Sequence, residues 1–227
     1  FTLCSWSELV NDGNAFNDTV CISLTGVPVI SLSYTTPYCD DFESGNIGWS
    51  SVLLPAGNPG TTWQLGTPAF GATTGAHSGI NAWDINLTSA YTGNASVALY
   101  SPIFDITQGL DCKLSFWRNH NTEQARDGVR LEYTLNSSGV WKTLGGVGRL
   151  SPYITWYTNT TICSNNQAAW AGVSGGWVKS EMQNLGVLPN FNSSQTIQFR
   201  FIFCSDASVN LDGFSIDDFC MEVPVPL

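Results

Sequence analysis

Strict two-residue alternation constrains this chain more than any other feature. GVRLEYTL, residues 128–135, sets Val129, Leu131, Tyr133 and Leu135 on one side and Arg130, Glu132 and Thr134 on the other. TIQFRFIF, residues 196–203, groups Ile197, Phe199, Phe201 and Phe203 in the same way. A period of two belongs to a strand with one face buried and one face wet, as in an antiparallel sheet. No window carries a helical stripe. Short alternating runs are separated by Gly, Pro and Asn turns, and NSSG at 136–139 has the form of a hairpin loop. The pattern predicts an all-β protein, a two-sheet antiparallel jelly-roll sandwich.

Charge narrows the function. Only 11% of the 227 residues are charged and the formal net charge is −10. The eight Lys and Arg residues form no run, which argues against binding the phosphate backbone of a nucleic acid. No apolar run reaches membrane-spanning length. Seven cysteines, at 4, 21, 39, 112, 163, 204 and 220, contain no CxxC pair, so a zinc knuckle is not expected. Wide spacing in an Asn- and Trp-rich chain points to disulfides and a secreted or cell-surface location. The odd count leaves one thiol over, expected at Cys163.

Three segments are expected. Residues 1–26 read as two strands around the polar turn Asn11–Asp12–Gly13–Asn14, stapled by Cys4 and Cys21. A lone hairpin is marginal in water, so this is the end of a preceding Ig-like domain. Residues 27–37 serve as a linker, and residues 38–224 form the sandwich.

The two ends of that sandwich carry matching acids. YCDDFE (38–43) and SIDDFCME (215–222) each set carboxylates beside a phenylalanine and a cysteine. If the first and last strands are antiparallel neighbours joined by Cys39–Cys220, Asp41 falls opposite Asp218 and Glu43 opposite Ile216. Like charges across a ladder destabilise it, and a bound cation would offset them. An all-oxygen set favours calcium. The ligands this register expects are Asp41 and Asp218, with Asp84 of NAWDIN as a further one. The competing reading is a solvated, charged sheet edge.

Six blocks in order resemble a MAM-type domain, and more closely its bacterial variants: CDDFESGNIGWS, TTWQLGTP, the stretch 76–106, LSFWRNHNTEQARDGVRLEYTLNSSGVWKTL, GGWVKSEMQNL and FRFIFCSDASVNLDGFSIDDF. Those variants occur in large secreted proteases and surface proteins, including type IX-secreted proteins of the Bacteroidetes. The resemblance covers about residues 38–223. It implies a concanavalin-like jelly roll without catalytic activity, serving adhesion, oligomerisation or a neighbouring catalytic domain. It also implies a structural cation near Asp41, Glu43, Asp217 and Asp218. Animal members have a second cysteine soon after the first, where Ile47 stands here, so their disulfide pairing does not carry over. That leaves room for Cys39–Cys220, and Cys112 with Cys204 is the candidate second bridge. The partners implied are other domains of the same long chain and surface glycans or proteins.

Other groups are weighed against plain structural roles. His120, near Glu123 and Asp127, has the makings of a base with a carboxylate orienter, but fits a polar loop after the strand 114–117 better. His77 is weaker still. No HExxH motif occurs. SPYITWYTN, residues 151–159, gathers Tyr153, Trp156 and Tyr157, and is the expected aromatic platform if the chain binds carbohydrate. Thr19, in the Asp18–Val20 stretch, matches a short bacterial O-glycosylation pattern.

Overall fold

The structure is a computed structural model that describes residues 2–6, 19–23, 26–106, 111–148, 151–159, 162, 167–191 and 195–224. In chain order the strands are β1 (Thr2–Trp6), β2 (Thr19–Ser23), β3 (Val29–Ser31), β4 (Tyr38–Asp40), β5 (Ser50–Leu53) and β6 (Trp63–Gly66). Then come β7 (Ala69–Phe70), β8 (Thr73–Thr74), β9 (Ala82–Ile85), β10 (Ser96–Asp105), β11 (Lys113–Asn121) and β12 (Gly128–Leu135). The last are β13 (Lys142–Thr143), β14 (Tyr153–Ile154), β15 (Val178–Met182), β16 (Thr196–Cys204) and β17 (Gly213–Glu222). One 3-10 turn, Leu185–Val187, is the sole helical element among the described residues.

Two sheets make the sandwich. One runs β13-β12-β16-β10-β3, with β5 also on β10; the other runs β14-β15-β11-β17-β9-β6, with β4 also on β17. All strand pairs are antiparallel except β3 on β10. The alternating runs behave as their pattern demands. Ile197, Phe199, Phe201 and Phe203 of β16 and Val129, Leu131 and Tyr133 of β12 are buried. Phe201 sits at the centre, its ring 4.9 Å from Phe116 and 6.5 Å from each of Trp49, Trp63 and Phe219. Several of these pairs are edge-to-face, the geometry that the ring quadrupole favours.

Three expectations change. Residues 27–37 are not a plain linker. Val29–Ser31 adds a parallel edge strand to β10, and Leu32 is buried in the core. The apolar run that looked like a spacer is therefore part of the sandwich. The strand expected at 114–117 continues to Asn121, so His120 lies on β11 rather than in a loop. The bridge Cys112–Cys204 is not made: Cys112 keeps a buried thiol, and Cys204 is disulfide-bonded elsewhere. Cys112 sits at the head of β11 and Cys204 at the end of β16, in opposite sheets. Cys163 lies outside the described residues.

The β1–β2 hairpin is a separate two-stranded sheet. Cys4 pairs Cys21 in register and is bonded to it. Every residue of β1 is exposed, and so is Thr19 at the head of β2.

Candidate functional site: a groove on the outer face of the seven-stranded sheet

The terminal strands of the sandwich meet. Tyr38, Cys39 and Asp40 of β4 pair Met221, Cys220 and Phe219 of β17, and Cys39 is bonded to Cys220. The ladder then stops. Asp40 Oδ1 accepts from Phe42 N–H at 2.9 Å, closing an Asx-type turn that places Phe42 at φ 59°. The chain leaves the sheet before Asp41 can stand opposite Asp218, and Asp41 is exposed.

On the other side β17 carries a bulge. Ser115 pairs Cys220, but Trp117 pairs Asp217, and Asp218 takes φ 47°. One extra residue in a strand re-aims its neighbours. Here it lets Asp217 and Asp218 both address the same loop, residues 77–81.

That loop satisfies the acids that the sequence assigned to an ion. Asp217 Oδ2 accepts from His77 N–H at 2.8 Å and Ser78 N–H at 3.0 Å. Asp218 Oδ2 lies 2.6 Å from His77 Nδ1, and its Oδ1 accepts from Ser78 Oγ at 2.7 Å. Glu43 Oε1 accepts from Ile80 N–H and Asn81 N–H at 2.9 and 2.6 Å. Gly79 makes the close approach feasible. It holds φ 58°, and a Cβ there would stand 2.5 Å from the Glu43 carboxyl. Backbone N–H groups, the Ser78 hydroxyl and the His77 ring thus take up the carboxylate oxygens where a cation was expected. Burial pushes the Asp217 carboxyl up to about 6, partly offset by these donors.

Asp84 stands apart from this set. It pairs Ser215 across β9–β17, and Oδ1 accepts from Ser215 Oγ at 2.7 Å. Its Oδ2 is buried without a hydrogen bond. Desolvation pushes this carboxyl up to about 8. The set Asp41, Glu43, Asp84, Asp217 and Asp218 therefore does not converge on one point. The acidic cluster that could hold a metal, among the described residues, is Glu123, Asp127 and Asp206, whose oxygens lie within 4.8 Å of one another. Asp127 there is fully buried and pushed up to about 6 by desolvation, while Asp206 N–H and Tyr91 Oη–H donate to it.

The loop clamp also builds an aromatic wall. The His77 ring stacks on Trp117 at 3.7 Å and 14°, and Trp177 meets it edge-on at 6.0 Å. Beside Trp117 runs an open groove of about 430 Å³, floored by the Cys39–Cys220 bridge. Asp40, Asp41, Asp218 and Glu222 line it, with Lys179 as the one cation among the described residues. Lys179 is itself paired with Glu181 at 2.6 Å. The groove is of ligand size and strongly negative.

The aromatic platform expected at Tyr153, Trp156 and Tyr157 is not a surface feature as a whole. Trp156 and Tyr157 are buried, packed on Trp170 at 5.1 and 4.5 Å. Tyr157 Oη donates to Leu131 O and accepts from Leu131 N–H. Tyr153 alone stays partly exposed. The segment closes one end of the sandwich, where burying two large rings outweighs displaying them. His120 is no base either. It is buried, stacked on Phe214, and held down to about 3 by desolvation and the adjacent Arg118.

Sequence reasoning missed the His77–Trp117 stack. Forty residues separate the pair, and only the register of β17 on β11 brings the clamped loop over Trp117.

The fold and groove define a β-sandwich with a ligand-sized, acidic recess on one outer face. Among solved structures, the chain is similar to the K3 cleaved adhesin domain of Lys-gingipain from Porphyromonas gingivalis, with 16% identity, TM-score 0.45, and 83% of this chain and 99% of that one covered. It is also similar to TmCBM61 in complex with β-1,4-galactotriose, with 14% identity, TM-score 0.44, and 80% and 92% coverage. A third is a xylan-binding domain from CBM 22, with 14% identity, TM-score 0.43, and 84% and 96% coverage. No family model and no curated protein matches the chain.

Proposed function

We propose that this chain is a non-catalytic, MAM-like adhesive module of a larger extracellular protein, and that its acidic groove is the surface that grips a cationic partner. The observation that carries this reading is the composition of the groove. Four carboxylates and one already paired lysine line the groove beside Trp117. That lining complements a Lys- or Arg-bearing protein segment through ion pairing. The neutral, enclosed state of His120 removes the best candidate base. The exposed hairpin, with Leu3, Trp6 and Val20 more than half exposed, suits strands completed by a neighbouring Ig-like domain. Calcium belongs to the same reading as a stiffening ion, with Glu123, Asp127 and Asp206 as its natural seat.

The groove reading is tested with a short oligo-arginine peptide. Asp41→Asn with Glu222→Gln removes two exposed charges without touching the loop clamp. Binding should weaken roughly tenfold and become less salt-sensitive. Unchanged affinity in the double variant, or no binding by the parent, would refute the proposal.

A further inference from the structure

A second recess lies where the two sheets meet at the opposite chemistry. Two adjoining clefts, of about 500 and 340 Å³, share Tyr133 and Lys142. Together they form one elongated groove along the sandwich edge. Its walls are β12, β13 and β14 and the segment 187–190. Among the described residues no Asp or Glu lines either cleft, in a chain whose net charge is −10.

The polar groups here are unspent. Tyr133 is 3% exposed, yet its hydroxyl has no hydrogen-bond partner among the described residues. The ring is buried but the hydroxyl oxygen is not, so it opens on the groove and is available to what the groove admits. Asn136 accepts from Thr196 N–H through Oδ1, which leaves its amide N–H groups uncommitted. The Asn190 side chain makes no hydrogen bond among the described residues. Lys142 is exposed and makes no ion pair among them, whereas Lys179, Arg130 and Arg200 all do. Tyr153 presents a partly exposed ring on the same wall.

We infer that this edge groove binds an acidic oligosaccharide. Tyr153 would stack on a sugar face, the Tyr133 hydroxyl and the Asn136 and Asn190 amides would take ring hydroxyls, and Lys142 would pair with a uronate carboxylate. An elongated groove that shows, among its described residues, no carboxylate and one cation without an ion pair selects an anion over a neutral chain of equal length. The site shares no residue with the acidic groove, so either can fail alone.

The test is calorimetric titration of the full chain with a short oligogalacturonate and with a neutral galactan oligomer of equal length. The parent should bind the acidic oligomer more tightly. Lys142→Gln should weaken that binding roughly tenfold, the scale of a lost charged hydrogen bond, and leave any binding of the neutral oligomer unchanged. Tyr133→Phe, which keeps the ring in the core, should weaken it severalfold, and Lys142→Arg should retain most of it. Thermal melts confirm that each variant folds. No binding of the acidic oligomer, a preference for the neutral one, or indifference to both Lys142→Gln and Tyr133→Phe would overturn the inference.

Discussion

The two grooves of this sandwich are built by different means. The acidic groove stands on the terminal strands: a disulfide floor, a bulge at Asp218 and a loop pinned by Glu43, Asp217 and Asp218. Its polar atoms are largely engaged with one another, and what it offers a ligand is charge. The edge groove stands on residues scattered from Tyr133 to Gln195 along the rim. It is nearly uncharged, and what it offers is a set of open hydrogen-bonding groups. One region spends its polarity on architecture, the other keeps it for recognition.

The sharpest way to break this contrast is to cut the floor of the first groove. Cys39–Cys220 closes a separation of 181 residues. Replacing both cysteines by serine should cost about 3–5 kcal/mol in denaturant unfolding, because the unfolded chain regains the freedom of a very long loop. The acidic groove should lose its peptide binding first. If the double variant unfolds at the same denaturant concentration as the parent, the terminal strands are not what holds that region.

The calcium seat proposed at Glu123, Asp127 and Asp206 is a third place, outside the lining of both grooves. Saturating calcium at about a hundred times its dissociation constant should add about 2.7 kcal/mol. A chelator should reverse the gain, and Asp206→Asn should abolish it. A melting temperature indifferent to calcium and chelator would remove the ion from the proposal.

The effect of pH separates the regions again. Asp84 is pushed up to about 8, and Asp127 and Asp217 to about 6, chiefly by desolvation. Unfolded, such groups ionise near 3.9. Between those values the folded chain holds more protons than the unfolded one, so stability falls as pH rises from about 4 to about 8. The melting temperature in chelator should be higher at pH 5 than at pH 8. Asp84→Asn should flatten the upper part of the slope. No described residue lining the edge groove has a carboxylate to titrate, so oligogalacturonate binding should not follow this curve.

Much of the scaffold was legible in the sequence, because alternation is a local property. The runs in β12 and β16 announced their buried faces residue by residue. The bridge between Cys39 and Cys220, taken as the premise of the antiparallel arithmetic, is made. That arithmetic failed one step later, at Asp41, because an Asx turn at Asp40 ends the ladder, and side-chain capping of this kind overrides simple register. The linker reading of 27–37 failed for a related reason: three residues suffice for an edge strand when β10 offers an open side. The aromatics of 153–157 were misjudged because burial there depends on a loop folding over the end of the sandwich. The two grooves were largely illegible. His77 and Trp117 meet only through tertiary structure, and the free hydroxyl of Tyr133 is a fact about neighbours that are absent.

The covalent ring from Cys39 to Cys220 has a mechanical meaning. A pull on the two ends of this polypeptide passes straight across adjacent strands and through the sulfur bridge. The residues between them are shielded from the load. Only the segments outside the ring can lengthen, with the parallel β3–β10 pairing taking the strain in shear before it yields. Both recesses would therefore keep their shape on a tether under tension.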